Sequence, residues 1–259
     1  MSPTLDEVKT MAYKAGEILR AGYGKAHQVE MKGLTDPVTE VDKRSEEYLV
    51  CTIQNRYPDH AIVAEESGVH VGTIDSCWHI DPLDGTVNFS HGIPMFCVSI
   101  AYAEHGELIL GAVYDPLRDE LFCGEKGKGA WLNDRLMQVS KTTELIRSVS
   151  GTGLPYNQNS AEMQRGLELF NHFSMQTQAC RRLGSASLNL CYVAAGRMDI
   201  YFEIQLHSFD IAAGVLMTRE AGGMATKFDG ASDCLKPPIS IVASNKQLHP
   251  LVLEIIQKE

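Results

Sequence analysis

WHIDPLDGTVNF, residues 78–89, is the stretch that decides how the rest of the chain is interpreted. It places two carboxylates, Asp81 and Asp84, on either side of a proline and follows them with Gly85 and Thr86. Carboxylates can bind hard cations, and Mg²⁺ is usually held by a few carboxylates together with substrate phosphate. Free backbone amides at a helix start attract anions. The segment therefore predicts neighbouring cation and phosphate sites, although Asp-Pro-x-Asp-Gly is equally ordinary turn chemistry.

Three further acidic positions lie elsewhere in the chain. An apolar, strand-like run ends at Glu65, and the ends of strands commonly carry functional sites. Thr39 and Asp42 have the spacing of a helix capping box, which by itself would give Asp42 only a structural role. Asp210 comes shortly before a helix that ends at residues 221–223, where the helix dipole alone favours an acid. Each acid taken alone therefore has an ordinary structural explanation.

Together these motifs resemble the signatures of the inositol monophosphatase family of Mg²⁺-dependent, Li⁺-sensitive phosphatases. Those signatures are Glu-Glu-Ser, then WxxDPxDGTxNF, then W-D-x-A-G followed by A-G-G, and the resemblance extends in the same order from about Lys32 to Gly223. Two positions depart from the pattern. Val87 stands where the family often has a second Thr, and Phe209 stands where it has Trp before a metal-binding Asp. Neither change removes a ligand, but Phe209 alters the expected wall of the pocket.

The resemblance implies an α/β (α+β) fold, an alternating αβαβα layered sandwich of the inositol monophosphatase/fructose-1,6-bisphosphatase type. Residues 1–259 would form a single unit with two approximate halves. Residues 1–150 would carry the metal and phosphate motifs and an antiparallel sheet, and residues 151–259 would be a smaller α/β half carrying Asp210. The active site would lie between the halves.

The same resemblance implies a centre of two Mg²⁺ ions. Glu65, Asp81 and the backbone carbonyl of Leu83 would bind one ion. Asp81, Asp84 and Asp210 would bind the second, so that Asp81 is shared, and a weaker third site near Glu65 fits the family. Without cations, carboxylates gathered in one cleft would repel one another. Oxygen ligands suit Mg²⁺ or Mn²⁺ and argue against zinc.

The family's reaction is direct attack of an activated water on a phosphate monoester. By resemblance the catalytic residues are Asp42, Glu65 and Thr86, with Glu65 and a Thr86–Asp42 pair polarising the water. The amides of Gly85 and Thr86 would bind phosphate oxygens. The resemblance thus gives Asp42 a role beyond helix capping.

The alcohol half of the substrate would contact Asp84, Gly184, Ser185, Ala186, Glu203 and Asp210. Glu203 has an alternative interpretation as an exposed acid at a strand end. Arg181 and Arg182 would meet a second anionic group or form salt bridges between subunits, and the second role is the safer expectation.

The compact length and the run DPLDGTVNFSHGIP are most similar to the inositol branch. The expected reaction is hydrolysis of myo-inositol 1-phosphate. Fructose-1,6-bisphosphatase, histidinol-phosphate phosphatase and nucleotide 3′-phosphatase activities remain alternatives within the family. A regulatory binding protein is a further alternative. It is disfavoured because such a protein tends to lose carboxylate ligands, and this chain keeps them.

The composition is ordinary for a globular protein. The 259 residues are 44% hydrophobic and 22% charged, and the formal net charge of −10 disfavours nonspecific binding to nucleic acid. The seven cysteines lack a CxxC pair and are expected to be buried free thiols in a reducing compartment. Neither a signal peptide nor a run of 18 apolar residues is visible. We therefore expect a cytoplasmic protein without membrane contact, and the family resemblance implies a homodimer.

Hydrophobic periodicity predicts the main elements. One helix begins behind Thr4, with Leu5, Val8, Ala12, Ala15 and Leu19 inward, and a second follows Thr39, with Val41, Tyr48, Leu49 and Thr52 or Ile53 inward. Residues 31–37 have the composition of a mobile loop, an antiparallel meander begins at Phe96, and residues 124–129 form a hairpin loop. Helices and short strands alternate beyond residue 151.

Overall fold

The structure of the protein is a computed structural model that describes residues 2–25, 29–31 and 37–258, and all their side chains except those of residues 29 and 74. The loop predicted over residues 31–37 lies, from residue 32 to residue 36, outside the described residues.

Two amphipathic helices, α1 (Leu5–Gly22) and α2 (Glu40–Arg56), form the first layer. Both begin with the predicted capping boxes, in which Thr4 pairs with Glu7 and Thr39 pairs with Asp42. The apolar stripes of the two helices pack together and onto the first sheet. In α2, Ile53 takes the inward position that the pattern left open between Thr52 and Ile53, and the half-buried Tyr48 packs against the same cluster. A two-stranded ribbon of β1 (Val29–Met31) and β2 (Pro37–Thr39) precedes α2.

The second layer is an eight-stranded sheet with the order β10-β9-β8-β7-β6-β5-β3-β4. Its strands are β3 (His60–Ala64), β4 (Gly68–His70), β5 (Thr73–Asp84), β6 (Cys97–Glu104), β7 (Glu107–Asp115), β8 (Glu120–Glu125), β9 (Gly129–Leu132) and β10 (Arg135–Leu136). A single-turn helix, α3 (Thr86–Ser90), follows β5. The predicted meander and the hairpin between β8 and β9 are confirmed. Of the described pairings in this sheet only β3 with β5 is parallel.

The second sheet has five strands in the order β12-β11-β13-β15-β14. The remaining elements are a 3₁₀ turn (Leu145–Arg147), β11 (Val149–Thr152), α4 (Ala161–Gln176), β12 (Ala179–Arg181), α5 (Ala186–Ala194), β13 (Ile200–Ile204), α6 (Ser208–Glu220), β14 (Met224–Thr226), β15 (Ser240–Ser244) and α7 (His249–Lys258). Strand β11 pairs in parallel with both β12 and β13. The alternation predicted beyond residue 151 is confirmed.

Helices α5 and α6 lie between the two sheets, while α4 and α7 cover the outer face of the smaller one. The predicted αβαβα sandwich is therefore confirmed. Helix α6 is buried on nearly every side from Ile211 to Thr218, as expected for a helix enclosed by sheets. Gly214 allows the close approach of α5, because a Cβ built there would lie 2.4 Å from the Leu190 Cβ. Division at residue 150 stays a prediction.

All seven cysteines lie in the described ranges and are free thiols. Four are buried, at positions 97, 123, 191 and 234. The expectation of burial is wrong for Cys51, which lies on the exposed face of α2, while Cys77 and Cys180 are half-buried. Within the described residues, no helix combines the length and the apolar character needed to cross a bilayer.

Candidate active site

Asp81 and Asp84 lie at the end of β5, not in the turn that Asp-Pro-x-Asp-Gly also allows. Asp81 pairs with Ser99 and Asp84 pairs with Cys97, so three steps along β5 match two along β6. Side chains three apart on a regular strand face opposite sides of the sheet, and one extra residue restores them to the same side. This bulge explains how both carboxylates belong to one cluster.

The cluster comprises Glu65, Asp81, Asp84 and Asp210, which come from the end of β3, from β5 and from the first turn of α6. Asp81 is 2% exposed. Burial raises the pKa of Asp81 well above its usual range, and the neighbouring charges of the other three acids raise it further. Burial also raises the pKa of Asp84 to about 6, against hydrogen bonds that favour its charged form. The predicted ligands are thus gathered at one place.

Backbone or side-chain donors hold Asp81, Asp84 and Asp210. The Leu83 amide donates to Asp81 Oδ1 over 3.0 Å, and the His207 amide donates to Asp210 Oδ2 over 2.5 Å. Asp84 Oδ2 accepts from the Ser185 hydroxyl and from the Ser187 amide, both at 2.7 Å. These bonds fix acids that lie on β5 and α6, so that their orientation does not depend on one loop.

The donor chemistry fits a hard divalent cation. All four side chains offer oxygen, and their mutual repulsion is relieved only by positive charge. Among the described residues, however, no three His, Cys, Asp or Glu side chains are already arranged as a finished metal site. We favour the electrostatic argument, because repelling carboxylates have no reason to converge without the charge that neutralises them.

Asp42 is completely buried and has two functions in the structure. Its Oδ2 accepts from the backbone amide of Thr39 over 2.9 Å and from the Thr39 hydroxyl over 2.6 Å, which caps α2. Its Oδ1 lies 3.0 Å from Thr86 Oγ1, which is also 3.0 Å from the Leu83 carbonyl oxygen. A hydroxyl has one proton and therefore donates to one of these acceptors at a time. Burial raises the pKa of Asp42 despite the hydrogen bonds.

Gly85 joins β5 to α3 with φ of +98°. A Cβ at this position would lie 2.9 Å from the Met95 carbonyl oxygen and 3.3 Å from the Gly184 carbonyl oxygen. Only glycine accommodates both the positive φ and the close approach of two backbone segments. The role of the Gly85 and Thr86 amides in phosphate binding stays a prediction.

A cavity of about 350 Å³ opens beside the acids. Of the predicted substrate residues, Asp84, Gly184, Ser185, Ala186, Glu203 and Asp210 line it, whereas Gly85 and Thr86 do not. A larger cavity of about 850 Å³, bordered by Phe209, contains none of the four clustered acids. Phe209 stacks on the His207 ring, with ring centroids 5.0 Å apart. It is not among the residues that line the smaller cavity.

Glu203 is half-buried, and it lies at the end of β13. Desolvation of its carboxyl raises the pKa to about 8, and the buried Tyr201 hydroxyl donates to it. Its position in the cavity wall supports the binding interpretation over that of an exposed strand-end acid.

Sequence reasoning missed several residues that line the same cavity. They are Val87, Asn88, Thr152, Gly153, Leu154, Tyr156, Asn189 and Leu206. Arg182, which was expected either at an anionic group or at a subunit contact, also lines it. The Gly-Thr-Gly run at 151–153 was the one available signal, since glycines at the end of a short strand indicate close approach of a backbone or ligand.

Comparison with known proteins places the chain among phosphatases. A model of the inositol monophosphatase family matches residues 1–259. The Nus factor SuhB of Pasteurella multocida is 42% identical over 100% of this chain and 96% of its own length, and the inositol-1-monophosphatase of Mesorhizobium japonicum is 39% identical over 99% and 97%.

Solved structures with the same fold are similar over nearly the whole chain. The suhB protein of Bartonella henselae superposes with a TM-score of 0.92 and 36% identity, covering 98% of both chains. The inositol monophosphatase of Anabaena superposes with a TM-score of 0.87 and 37% identity, covering 98% of this chain and 95% of the other.

Proposed function

Because the chain belongs to the inositol monophosphatase family, we propose that it hydrolyses myo-inositol 1-phosphate to myo-inositol and phosphate in a Mg²⁺-dependent reaction. The family consists of phosphatases that are generally Mg²⁺-dependent. The observation that supports the proposal for this chain is the carboxylate cluster beside a polar cavity, with Asp84 and Asp210 belonging to both. Two of the acids that bind the metal ions would then also line the cavity that binds the alcohol part of the substrate.

We propose that Glu65, Asp81, the Leu83 carbonyl, Asp84 and Asp210 hold two or three Mg²⁺ ions, which Mn²⁺ could replace. When bound, the ions would neutralise the cluster, lower the pKa of water and stabilise the leaving oxygen. The ordered donors at Asp84 and Asp210 keep these side chains oriented before substrate arrives.

The chain's own catalytic contribution would come from Asp42, Glu65 and Thr86. When the Thr86 hydroxyl donates a hydrogen bond to Asp42, its oxygen lone pairs are available to accept a hydrogen bond from water. Glu65, at the end of β3, would take the second position around that water. Asp42 supports the reaction through Thr86, and so it is a positioning residue.

Alcohol recognition would involve Glu203 and the loop 184–186. The carboxyl of Glu203 lines the cavity and can accept a hydrogen bond from a hydroxyl group of the substrate. We favour the inositol substrate because the compact length and the run DPLDGTVNFSHGIP are most similar to the inositol branch.

A second candidate function follows from the names of relatives. The 42% identical protein is called a Nus factor, so this chain could also act by assembling with a macromolecular partner. Complete retention of the acidic cluster supports catalysis as the primary function. The two functions are separable, because a partner surface does not need Asp84.

The oligomeric state, the compartment and the division into two halves are part of the same proposal. We propose a homodimer in the cytoplasm, whose halves 1–150 and 151–259 enclose the active site. Free thiols in all seven positions suit a reducing compartment. Size-exclusion chromatography with light scattering would measure the oligomeric state.

The test is phosphate release by the purified protein from four substrates with and without Mg²⁺. They are inositol 1-phosphate, fructose 1,6-bisphosphate, histidinol phosphate and adenosine 3′,5′-bisphosphate. We expect the highest kcat/KM for inositol 1-phosphate. A preference for one of the others would reassign the substrate, and no release from any of them would contradict a phosphatase function.

A further inference from the structure

Gly151 and Gly153 lie on either side of Thr152, the last residue of β11, and other side chains pack closely against both glycines. A Cβ at Gly153 would lie 2.1 Å from Glu203 Oε1. A Cβ at Gly151 would lie 3.5 Å from Asn189 Oδ1 and 2.5 Å from the Met198 sulfur. The Glu203 carboxyl and the Asn189 amide therefore both border the backbone of residues 151–153.

Asn189 lies in this region without the partners that a buried amide normally has. Its residue is 1% exposed, on α5, and it lines the cavity together with Glu203 and Ser185. Its Oδ1 is buried and has no hydrogen-bond partner among the described residues. Most buried polar atoms are hydrogen-bonded, and one without a partner destabilises the fold.

Two other buried asparagines in this structure have side-chain amides that are hydrogen-bonded to protein atoms. Asn88, in the same cavity, donates to the carbonyls of Met95 and Leu183, both at 2.8 Å. Asn245 makes hydrogen bonds through both ends of its amide, to residues 140, 142, 247 and 248. Asn189 therefore differs from them in having an unused acceptor at a ligand cavity. Rotation about its last torsion presents the amide donor in place of the acceptor.

We propose that Asn189 is a specificity-determining residue whose side-chain amide hydrogen-bonds a hydroxyl group of the polyol, next to the group bound by Glu203. The proposal rests on the phosphatase function proposed above. Asn189 lines the same cavity as Glu203, and the partner missing from its amide is the substrate hydroxyl. A substrate without hydroxyl groups gains nothing from this residue.

The experiment compares Asn189→Leu with the wild-type protein on inositol 1-phosphate and on p-nitrophenyl phosphate, at saturating Mg²⁺. Leucine has a similar shape but no polar atoms. We expect KM for inositol 1-phosphate to rise about tenfold, the usual effect of one lost hydrogen bond, while kcat changes little. Kinetics with p-nitrophenyl phosphate should stay within twofold of wild type. The melting temperature should not fall, because the variant removes an unpaired buried atom.

Asn245→Leu is the matched control, since it removes a satisfied buried amide that is outside the cavity. It should lower the melting temperature and leave the ratio of kcat/KM for the two substrates unchanged. Equal losses on both substrates in Asn189→Leu, or no change in KM, would overturn the role of Asn189 while leaving the phosphatase proposal intact. A wild-type protein that cleaves p-nitrophenyl phosphate but not inositol 1-phosphate would contradict the proposed function and, with it, this role.

Discussion

Replacing Asp42 by Asn separates helix capping from catalysis. The carboxylate accepts two hydrogen bonds from Thr39 through Oδ2 and one from Thr86 through Oδ1. In Asp42→Asn the amide oxygen can keep the capping position, so its NH₂ group faces Thr86. The Thr86 oxygen must then accept a hydrogen bond from that NH₂ group, and its own hydroxyl turns to donate to the Leu83 carbonyl 3.0 Å away. The hydroxyl loses the lone pair that would accept a hydrogen bond from water.

The expected magnitudes follow from these contacts. Capping is retained, and exchanging a charge-assisted bond for a neutral one costs about 1 kcal/mol, offset in part by removing a buried charge. For a chain of this size that corresponds to a fall in melting temperature of about 2–4 °C. Loss of one proton-accepting group should lower kcat about 100-fold.

The assays are thermal unfolding and steady-state phosphate release. Glu7→Gln is the matched control, because Glu7 has the same place in the capping box of α1 but lies outside the acidic cluster. It should leave kcat unchanged. If Asp42→Asn kept wild-type kcat, Asp42 would be a capping residue only and the proposed pair with Thr86 would be wrong.

Four further outcomes are expected. Phosphate release should stop in EDTA and return with Mg²⁺, and activity that survives complete chelation would exclude the proposed centre. Asp84→Asn should lower kcat roughly 100-fold with an unchanged circular dichroism spectrum, since it removes charge from the cluster, and wild-type turnover would remove Asp84 from the site. Li⁺ should inhibit nearly uncompetitively and be relieved by Mg²⁺, whereas equal inhibition by Na⁺ and K⁺ would indicate ionic screening. His249 is buried, and burial lowers its pKa to about 4. Because the unfolded chain binds the proton more readily, the free energy of unfolding should fall by about 3 kcal/mol as pH drops from about 6.5 to 4. Urea unfolding of wild type and His249→Gln at both pH values measures this fall, and an equal loss of stability in acid in both proteins would contradict the prediction.

Several features were fixed by the sequence because they depend on near neighbours. The capping boxes at Thr4 and Thr39 need only residues three apart, and the meander from Phe96 needs only alternating apolar runs and turns. The acidic motifs were equally visible, since their spacing is local. They identified the family, and the family implied the layered sandwich.

The tertiary structure decided how those pieces meet. Asp81 and Asp84 belong to one cluster because of a bulge against β6, and Asp84 is oriented by Ser185, a residue 101 positions away. The parallel pairing of β3 with β5 is likewise invisible in either strand alone. Such arrangements depend on which distant surfaces pack together.

Asn189 is the clearest example of a residue whose role depends on the tertiary structure and not on the local sequence. In the sequence it is an ordinary residue of an apolar helix, with nothing to mark it as polar lining of a cavity. Its burial, its missing partner and its position beside Gly151 exist only after α5 packs on the smaller sheet. Local patterns specify elements and reactive groups, because these depend on covalent neighbours. The fit of a substrate depends on space between elements, which only long-range packing creates.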